Sequence, residues 1–464
     1  MNRRSFLSRL GLAGSGLMVA PLLPFHRALA AGKQIPHRNF IFAYFDGGWD
    51  TLLSVDPRDP TRFDDSEDAL GMYGIQLGYQ AIEAASPGLY TLDRLIRPEG
   101  SQIDFGPAMA DFAPHFDVSC VVRGLSMDTV THEVGRRFFL TGMMPVGTRA
   151  KGSSVSTQVA AQQGDRAPIP NLIARAEGYN EGDPHYASPM KIANVDDLVA
   201  VLNDGPSAPV SHVRRHLELY RSQRARCDTD RLNRWGLMSL VEESQRKARE
   251  LIDGGLGNRF RLGNNRDPEM AGLRERYGYV PWDLTSGSAQ AAMALQALKY
   301  NTSQCVTIQI ARGLDTHADD WEDDHPSRQA AGWRALAQLV SDLKAEDDPV
   351  VPGQKLIDST TILVFSEFGR TSLINNRGGR DHSLTSACML IGAGVPQNRV
   401  IGASKDIGMI PLPIDPVSGA VVDEGGVTLN PSNVVASLLQ GAGLDTDHLR
   451  TDGLPCLMPD LEAL

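Results

Sequence analysis

The sequence is short of basic residues and of cysteine pairs. It has 45 Lys and Arg against 56 Asp and Glu in 464 residues, which gives a formal net charge of −11 at pH 7. A surface of that sign disfavours nucleic acid and anionic membranes as partners. The five cysteines are an odd number without a CxxC pair, and we interpret Cys120, Cys305 and Cys388, which lie in apolar runs, as buried small side chains. One disulfide between unidentified partners is the alternative.

Long apolar stretches are confined to the amino terminus, where the sequence predicts an export signal. Residues 3–7 (RRSFL) resemble the twin-arginine export motif, an apolar stretch covers 10–23, and residues 28–30 (ALA) offer a small-residue cleavage pattern. A membrane anchor is the alternative, but the stretch is short and is interrupted by glycines and prolines. We therefore expect a signal peptide at 1–30 and a periplasmic or secreted chain over 31–464, without a further membrane-spanning segment.

Five short, continuous apolar runs predict central strands that are covered on both faces, as in a parallel sheet. Helical patterns lie between them, most clearly at 134–140, 153–163 and 328–343. The sequence therefore predicts an α/β fold with a parallel or mixed sheet. The predicted strands are Asn39–Phe45, Val118–Val122, Cys305–Ala311, Thr361–Phe365 and Ala387–Ile391.

A polar segment separates the early strands from the late ones. Residues 211–252 are dense in Arg, Glu, Gln and Leu and poor in strand formers, which predicts one or two long exposed helices. We expect a helical insert at about 205–300 that forms a cap or a side layer. An ordinary helical layer of the same domain is the alternative.

Side chains with metal-binding chemistry stand at the ends of the predicted strands. The first strand is followed by Asp46 in FDGGWD, the third by Asp315 and His317 in GLDTH, and the fourth by Glu367 in SEFGR. His382 precedes the fifth strand in GGRDH. Since ligands collect at the carboxyl ends of strands in open α/β sheets, we expect these side chains to meet there.

A mixture of carboxylates and imidazoles favours a divalent cation over a soft metal bound by thiolates. Zn, Mn, Fe, Mg and Ca are the candidates, as one ion or as two ions bridged by a carboxylate. The spacing of Asp315 and His317 places both on the same side of an extended segment. We interpret the acidic stretch 319–325 as a solvated face, and a second cation there is the alternative.

These motifs resemble those of the alkaline phosphatase and sulfatase superfamily, whose members hydrolyse phosphate or sulfate esters at a site with one or two metals. The leader together with FDGGWD, GLDTH, FSEFGRT and GGRDH is similar, more closely, to a bacterial family catalogued as domain of unknown function fifteen-oh-one. The similarity spans most of the chain after the leader. It implies an alkaline-phosphatase-like three-layer sandwich with a mostly parallel central sheet, and it says less about activity than about fold.

The resemblance also implies a set of metal ligands. They match Asp46, Asp315, His317, Glu367 and His382 of this sequence. The usual phosphatase spacing between the residues that correspond to Asp315 and His317 is longer. Phe368 stands where a histidine commonly follows the acidic ligand of the fourth strand.

The position of the superfamily's nucleophile is the main departure from its pattern. A Ser, Thr or Cys is expected nine residues before the helical Thr-Gly, and counting back from Thr141 gives His132. His132 is then a metal ligand, a nucleophile that forms a phospho-histidine, or part of a site without turnover. Hydroxyls at Ser126, Thr129 and Thr131 are substitutes if the register shifts.

Two arginines suit an anionic substrate. Arg136 stands where the sulfatase pattern has an arginine, and Arg370 stands close to Glu367 in SEFGR. A guanidinium group matches the oxygens of a phosphate or a sulfate well. An ordinary surface arginine is the alternative for each.

The resulting hypothesis is an exported, metal-dependent hydrolase of phosphate or sulfate esters that acts on a small anionic ester or an anionic polymer. The alternative is a secreted metal-binding or assembly protein with a degenerate site. His132 favours that alternative, whereas the retained carboxylates and imidazoles disfavour it, because such groups are costly to bury without a purpose. An isomerase or mutase is a weaker third hypothesis, since one type of phosphoglycerate mutase shares the superfamily fold.

Overall fold

The computed structural model describes residues 37–458 except 86–91, 165, 204–211, 214, 218, 221–222 and 224–251. The predicted signal peptide at 1–30 lies outside the described residues, as does most of the segment 211–252. In the part of the chain that the structure describes, no helix is both long enough and apolar enough to cross a membrane.

A mixed sheet of eight strands forms the centre of the fold, and the predicted strands all belong to it. The described residues contain ten strands, which are β1 (Asn39–Phe45), β2 (Ser119–Ser126), β3 (Leu172–Ala174), β4 (Met190–Ile192), β5 (Cys305–Ala311), β6 (Thr360–Ser366), β7 (Gly369–Arg370), β8 (His382–Ser383), β9 (Thr385–Gly392) and β10 (Arg399–Ile401). The order in the sheet is β10-β2-β9-β6-β1-β5-β3-β4, and β7 pairs with β8 separately. Among the described residues, only the pairs that contain β9 are antiparallel within the large sheet.

The helices between these strands include the three that the sequence predicts most clearly. They are α1 (Glu67–Tyr73), α2 (Gln80–Ala85), α3 (His132–Thr141), α4 (Val155–Gln163), α5 (Val195–Val201), α6 (Pro268–Tyr277), α7 (Gly287–Lys299), α8 (Asp320–Ala345), α9 (Leu356–Ser359) and α10 (Pro431–Gly441). Helix α8 begins at Asp320, ahead of the predicted start at 328. Helix α7, at the end of the predicted insert, is buried along most of its length and packs against β5 and α8.

Helices cover both faces of the sheet, because alternate residues of each central strand point to opposite sides. All seven residues of β1 are buried. Phe45 packs on Trp333 of α8, with ring centroids 4.9 Å apart. Tyr44 stacks on Phe365, which in turn stacks on Phe139 of α3. The molecule is a three-layer α/β sandwich, and the predicted fold class is confirmed.

The direction of β9 decides which segments meet. Strands β1, β2, β5 and β6 end at one edge of the sheet, and β9 begins at that edge because it runs against β2 and β6. Thr385 of β9 lies opposite Ser126 at the end of β2. The loop that leads into β9 therefore reaches the same edge as the segments that follow the parallel strands.

Candidate functional site

The turn after β1 packs directly on the segment after β5. Asp46 N donates to Ala311 O at 3.0 Å, and Leu314 N donates to Asp46 O at 3.1 Å. Gly47 has a φ of +113°, and a Cβ atom there would lie 2.6 Å from Asp315 N. The turn needs glycine because only glycine readily adopts this backbone conformation at so close an approach.

Helix α3 brings His132 against the end of β6. A Cβ atom on Gly135 would collide with the carbonyl oxygen of Glu367, so a glycine lets the helix rest on the end of the strand. His132 is the first residue of α3. Its Nδ1 lies 2.8 Å from Glu367 Oε1 as a result of this packing.

The Asp315 carboxylate is the point on which the predicted site residues converge. Its Oδ1 lies 3.0 Å from His317 Nε2, 3.1 Å from His382 Nε2 and 2.8 Å from Arg370 Nη2. Its Oδ2 lies 3.3 Å from His132 Nε2. Among the described residues, the ligand atoms of His132, Asp315 and His382 all lie within 4.8 Å of one another, which suits a single metal ion.

Each of the three imidazoles has its other ring nitrogen fixed by an acceptor. The acceptors are Glu367 for His132 at 2.8 Å, Asp381 for His317 at 2.7 Å and the Val130 carbonyl for His382 at 2.7 Å. In the neutral form of each ring, this arrangement places the proton on Nδ1 and leaves a lone pair on Nε2. It is typical of histidines that bind metal ions.

Two of these acceptors were missed by the sequence analysis. Asp381 stands in the GGRDH motif directly before a predicted ligand, and this position is the signal by which it could have been found. Its carboxylate also accepts from Asn375 Nδ2 at 3.1 Å. Val130 acts through its backbone carbonyl, which no pattern of side chains reveals.

Glu367 is fully buried and serves as the partner of His132. Its Oε1 also accepts from Gly47 N at 2.9 Å, and its Oε2 accepts from Ser366 Oγ at 3.0 Å. Burial alone would raise the pKa of Glu367, but the hydrogen bond from His132 outweighs it and the pKa lies below its ordinary value. Burial lowers the pKa of His132, and its contacts with Glu367 and Asp315 more than reverse this effect. A direct contact of Glu367 with a metal stays a prediction.

Asp46 lies to one side of this convergence. Its carboxylate accepts from Tyr44 Oη at 2.9 Å and from Gln309 Nε2 at 3.0 Å. Arg136 Nη1 is 3.9 Å from Asp46 Oδ1. Burial and the nearby charge of Glu367 raise the pKa of Asp46. Its role as a metal ligand stays a prediction.

The guanidinium group of Arg370 has an acceptor for each of its three nitrogens. Nε donates to Gly48 O at 2.9 Å, and Nη1 donates to Arg380 O at 3.0 Å. Nη2 donates to Gly47 O and to Asp315 Oδ1. Arg370 thus fixes the turn after β1 and offsets the charge of Asp315 from a fully buried position.

Arg136 occupies a different place, one turn along α3 from His132. Its Nη2 donates to Glu177 Oε1 at 2.7 Å. Arg137 Nε donates to Glu177 Oε2 at 2.9 Å, and Tyr179 Oη donates to the same oxygen. Burial raises the pKa of Glu177, but these hydrogen bonds and the charge of Arg136 lower it to about 2.

The protonation states of the central groups suit a cation. Burial raises the pKa of Asp315, but the guanidinium group of Arg370 and the imidazoles of His382 and His132 bring it well below its ordinary range. Burial lowers the pKa of His382. A carboxylate that stays ionised beside an imidazole that stays neutral is the state in which both bind a metal ion.

The chain matches a protein family and several solved structures. A family model described as "Protein of unknown function (DUF1501)" matches residues 37–449. No protein with a curated description matches the chain. Ps i-CgsB in complex with k-i-k-neocarrahexaose is 9% identical at a TM-score of 0.40, and the match covers 92% of this chain and 77% of that chain.

Two further solved structures are similar to this chain at comparable TM-scores. A putative sulfatase from Bacteroides thetaiotaomicron is 9% identical at a TM-score of 0.39, with 91% of this chain and 75% of that chain covered. A protein in the alkaline phosphatase superfamily from Vibrio parahaemolyticus is 9% identical at a TM-score of 0.37, with 89% and 68% covered. Such low identities transfer no residue roles, which are therefore argued from this chain's own geometry.

Proposed function

The chain belongs to the DUF1501 family, and from the geometry of its site we propose that it is a metal-dependent hydrolase of sulfate or phosphate esters. The observation that carries this proposal is the convergence of the Nε2 atoms of three histidines on the Asp315 carboxylate, at 3.0 to 3.3 Å. Imidazole nitrogens with a carboxylate oxygen form a ligand set that Zn²⁺, Mn²⁺ and Fe²⁺ accept. The resemblance of the motifs to those of phosphatases and sulfatases suggests the substrate class.

These residues fit a divalent cation because their lone pairs face one another. A carbonyl oxygen only accepts, so Nδ1 of His382 beside Val130 O carries the proton and its Nε2 carries a lone pair. The same argument applies to His317 beside the Asp381 carboxylate. The two Nε2 atoms lie 2.9 Å apart, where two lone pairs repel each other. A cation bound by both nitrogens and by Asp315 removes that repulsion.

The ion would be held by His132, Asp315, His317 and His382. When bound, a divalent cation polarises the ester group and stabilises the charge that develops on its oxygens. Arg370, 2.8 Å from the Asp315 carboxylate, offsets its charge and keeps it in place. Arg136 carries the guanidinium group that we assign to a peripheral oxygen of the ester.

Water is the nucleophile in this proposal, since His132 stands where the superfamily has a side-chain nucleophile. Glu367 holds Nδ1 of His132 at 2.8 Å, and Nε2 lies 3.3 Å from Asp315 among the other ligand atoms, which favours a ligand over a phospho-histidine. Ser126, a nearby hydroxyl, donates to Asp128 Oδ1 at 2.6 Å instead. No side chain therefore has to become covalently attached to the substrate.

A secreted metal-binding or assembly protein is the second candidate function, and the same contacts of His132 favour it. A protein that binds an anion and releases it unchanged also needs metal ligands, but it does not need a side-chain nucleophile. The two candidates share the metal ion and differ in turnover.

Metal content and ester hydrolysis, measured on the same preparations, test the proposal. We expect elemental mass spectrometry to find stoichiometric metal, and 4-nitrophenyl sulfate or phosphate to be hydrolysed, with both lost in His317→Ala. His115→Ala is the matched control, since His115 lies in the short helix Ala113–Val118 that leads into β2, at the opposite end of that strand. Metal without turnover of either ester supports the binding protein. A wild-type chain without metal overturns both candidates.

We also propose that the chain is exported by the twin-arginine route, on the pattern of residues 3–7 and 28–30. Replacing Arg3 and Arg4 together by lysine should keep the protein in the cytoplasm. The unaltered chain should instead accumulate in the periplasm or the medium in a shortened form. Cell fractionation with amino-terminal sequencing measures this, and an equal distribution of the two chains contradicts it.

A further inference from the structure

Asp315, His317 and His382 lie on two short segments, 315–317 and 380–382. Each segment directs one side chain into the interior. Thr316, which stands between Asp315 and His317, is fully buried. Arg380 is fully buried on the second segment, shortly before His382. Neither side chain is among the proposed ligands of a cation, so a metal site does not explain why both are buried.

Both enter a group that we term the buried polar cluster, which consists of Asp50, Thr316, His325, Gln329 and Arg380, none more than 1% exposed. His325 Nδ1 lies 2.9 Å from Thr316 Oγ1, and its Nε2 lies 2.9 Å from Gln329 Oε1. Asp50 N donates to Gln329 Oε1 and Gln329 Nε2 donates to Asp50 O, both at 2.8 Å. Burial lowers the pKa of His325 to about 4, so the ring is neutral. Gln329 Oε1 only accepts, so the ring proton lies on Nε2 and Nδ1 accepts from Thr316.

A buried ion pair joins the second segment to the same cluster. Arg380 Nε lies 3.0 Å from Asp50 Oδ2. That oxygen also accepts from Trp321 Nε1 at 3.2 Å, and the guanidinium group of Arg380 lies 4.8 Å from the centre of the same Trp321 ring. Arg380 N donates to Thr316 O at 3.3 Å, which links the two segments directly.

We propose that the buried polar cluster is a positioning unit, which fixes the segments 315–317 and 380–382 at one separation and so sets the distance between the imidazoles of His317 and His382. The proposal rests on the proposed function in that these imidazoles hold a cation. An apolar interior would be less costly, because a buried ion pair and a buried imidazole lose their hydration. Hydrogen bonds of fixed length and direction hold a geometry that apolar contacts leave free.

Amide hydrogen exchange of Asp50→Asn, followed by mass spectrometry on the whole chain after removal of metal, tests the unit without a cation. Asp50 lies on neither segment, and its replacement leaves the charge of Arg380 unpaired. We expect exchange to rise at least about 10-fold over both 314–318 and 379–383, since both lose their shared anchor. Exchange at the wild-type rate over either range overturns the proposal.

Asp56→Asn is the matched control for this experiment. Asp56 is also buried, at 2% exposed, and it pairs with Arg58 at 2.8 Å instead of with the cluster. The control therefore breaks a comparable buried ion pair elsewhere in the domain. We expect it to leave exchange over 314–318 and 379–383 at the wild-type rate, and an equal rise in both variants would show a general loss of stability and overturn the proposal.

Thr316→Val is a milder variant that decides the matter if Asp50→Asn does not fold. It removes only the hydroxyl group that donates a hydrogen bond to His325 Nδ1. Thr361→Val is its control, since Thr361 is also buried and its hydroxyl donates to Ala393 O at 2.8 Å. We expect faster exchange over 379–383 in Thr316→Val, although the change lies on the other segment, and no change in Thr361→Val. Equal exchange in the two variants contradicts the positioning unit.

Zn²⁺ affinity distinguishes a failure of this proposal from a failure of the proposed function. We expect Thr316→Val to weaken Zn²⁺ binding about 10-fold and Thr316→Ser to restore it to within about 3-fold, as for outer partners of metal ligands. If the wild-type chain binds neither Zn²⁺ nor Mn²⁺, the proposed function fails and the exchange result alone decides on the unit. If Thr316→Val binds Zn²⁺ as tightly as the wild-type chain, the positioning unit is wrong and the proposed function stands.

Discussion

The pKa values of the two aspartates that follow strands in the site, Asp315 and Asp46, are shifted in opposite directions. Asp315 is half exposed and faces three imidazoles and a guanidinium group, which bring its pKa well below the ordinary range although burial raises it. Asp46 accepts from the neutral donors Tyr44 and Gln309, and burial together with Glu367 raises its pKa. The difference favours Asp315 over Asp46 as the ligand of a cation.

From this difference we expect a single ion per chain. A second ion would need a second group of ligand atoms, and among the described residues only those of His132, Asp315 and His382 lie within 4.8 Å of one another. Both oxygens of Asp46 and both oxygens of Glu367 accept hydrogen bonds within the protein. We therefore expect one ion at Asp315, and the variants below test that expectation from the largest effect to the smallest.

Asp315→Asn should have the largest effect, because it removes the carboxylate on which the imidazoles converge. We expect Zn²⁺ affinity to fall by at least about 100-fold and ester turnover to be lost, since losing a ligand costs more than losing one of its outer partners. Competition with a chromophoric chelator measures the affinity, and circular dichroism checks that the variant is folded. Wild-type affinity in a folded variant would place the ion away from Asp315.

Glu367→Gln should have the next largest effect. The amide oxygen still accepts from His132 Nδ1 and Gly47 N, but the negative charge that makes His132 more basic is gone. We expect Zn²⁺ affinity to fall about 10- to 100-fold with one ion still bound at saturation. Glu269→Gln is the control and should leave Zn²⁺ affinity unchanged. Glu269 lies on helix α6, where its carboxylate accepts from Tyr300 Oη at 2.7 Å. A fall from two bound ions to one would instead make Glu367 a direct ligand.

The central strands were predictable because a strand buried on both faces is a continuous apolar run. The bounds of β1 and of β5 are those that the sequence predicts. The placement of Asp315 and His317 at this edge was predictable too, because the carboxyl ends of parallel strands share an edge. The antiparallel direction of β9, which brings His382 to that edge, required the three-dimensional structure.

The buried polar cluster was not predicted, because its residues are hidden in stretches of opposite character. The acidic stretch 319–325 was interpreted as a solvated face, and its carboxylates are indeed largely exposed. Trp321 and His325 within it are buried, since they lie four residues apart on the inner face of α8. Their spacing, continued by Gln329 and Trp333, is the helical signal that would have identified this inner face.

Asp46→Asn should change little if the comparison of the two aspartates is correct. The variant keeps an acceptor for Tyr44 and removes a charge that burial and Glu367 disfavour. We expect Zn²⁺ affinity within about 3-fold of the wild-type value, a stoichiometry of one, and no loss of thermal stability. Elemental mass spectrometry and thermal unfolding measure these quantities. A halved metal content would show that Asp46 holds an ion of its own.

Glu177→Gln should have the smallest effect and should reveal its cause through pH. The native pKa of Glu177, about 2, lies below its ordinary value of about 4.5, so its carboxylate stabilises the fold above about pH 4.5 and this stabilisation is lost as the pH falls toward 2. We expect the variant to be about 1 kcal/mol less stable at pH 7. The effect is small because solvent screens the charge of a carboxylate that is 28% exposed. Urea unfolding at pH 7, 5, 4 and 3 should show the difference shrinking with acidity, whereas Glu275→Gln, on the exposed surface of α6, should show none. A difference that is the same at pH 7 and pH 3 would mean that the charge of Glu177 does not stabilise the Arg136 side of the site.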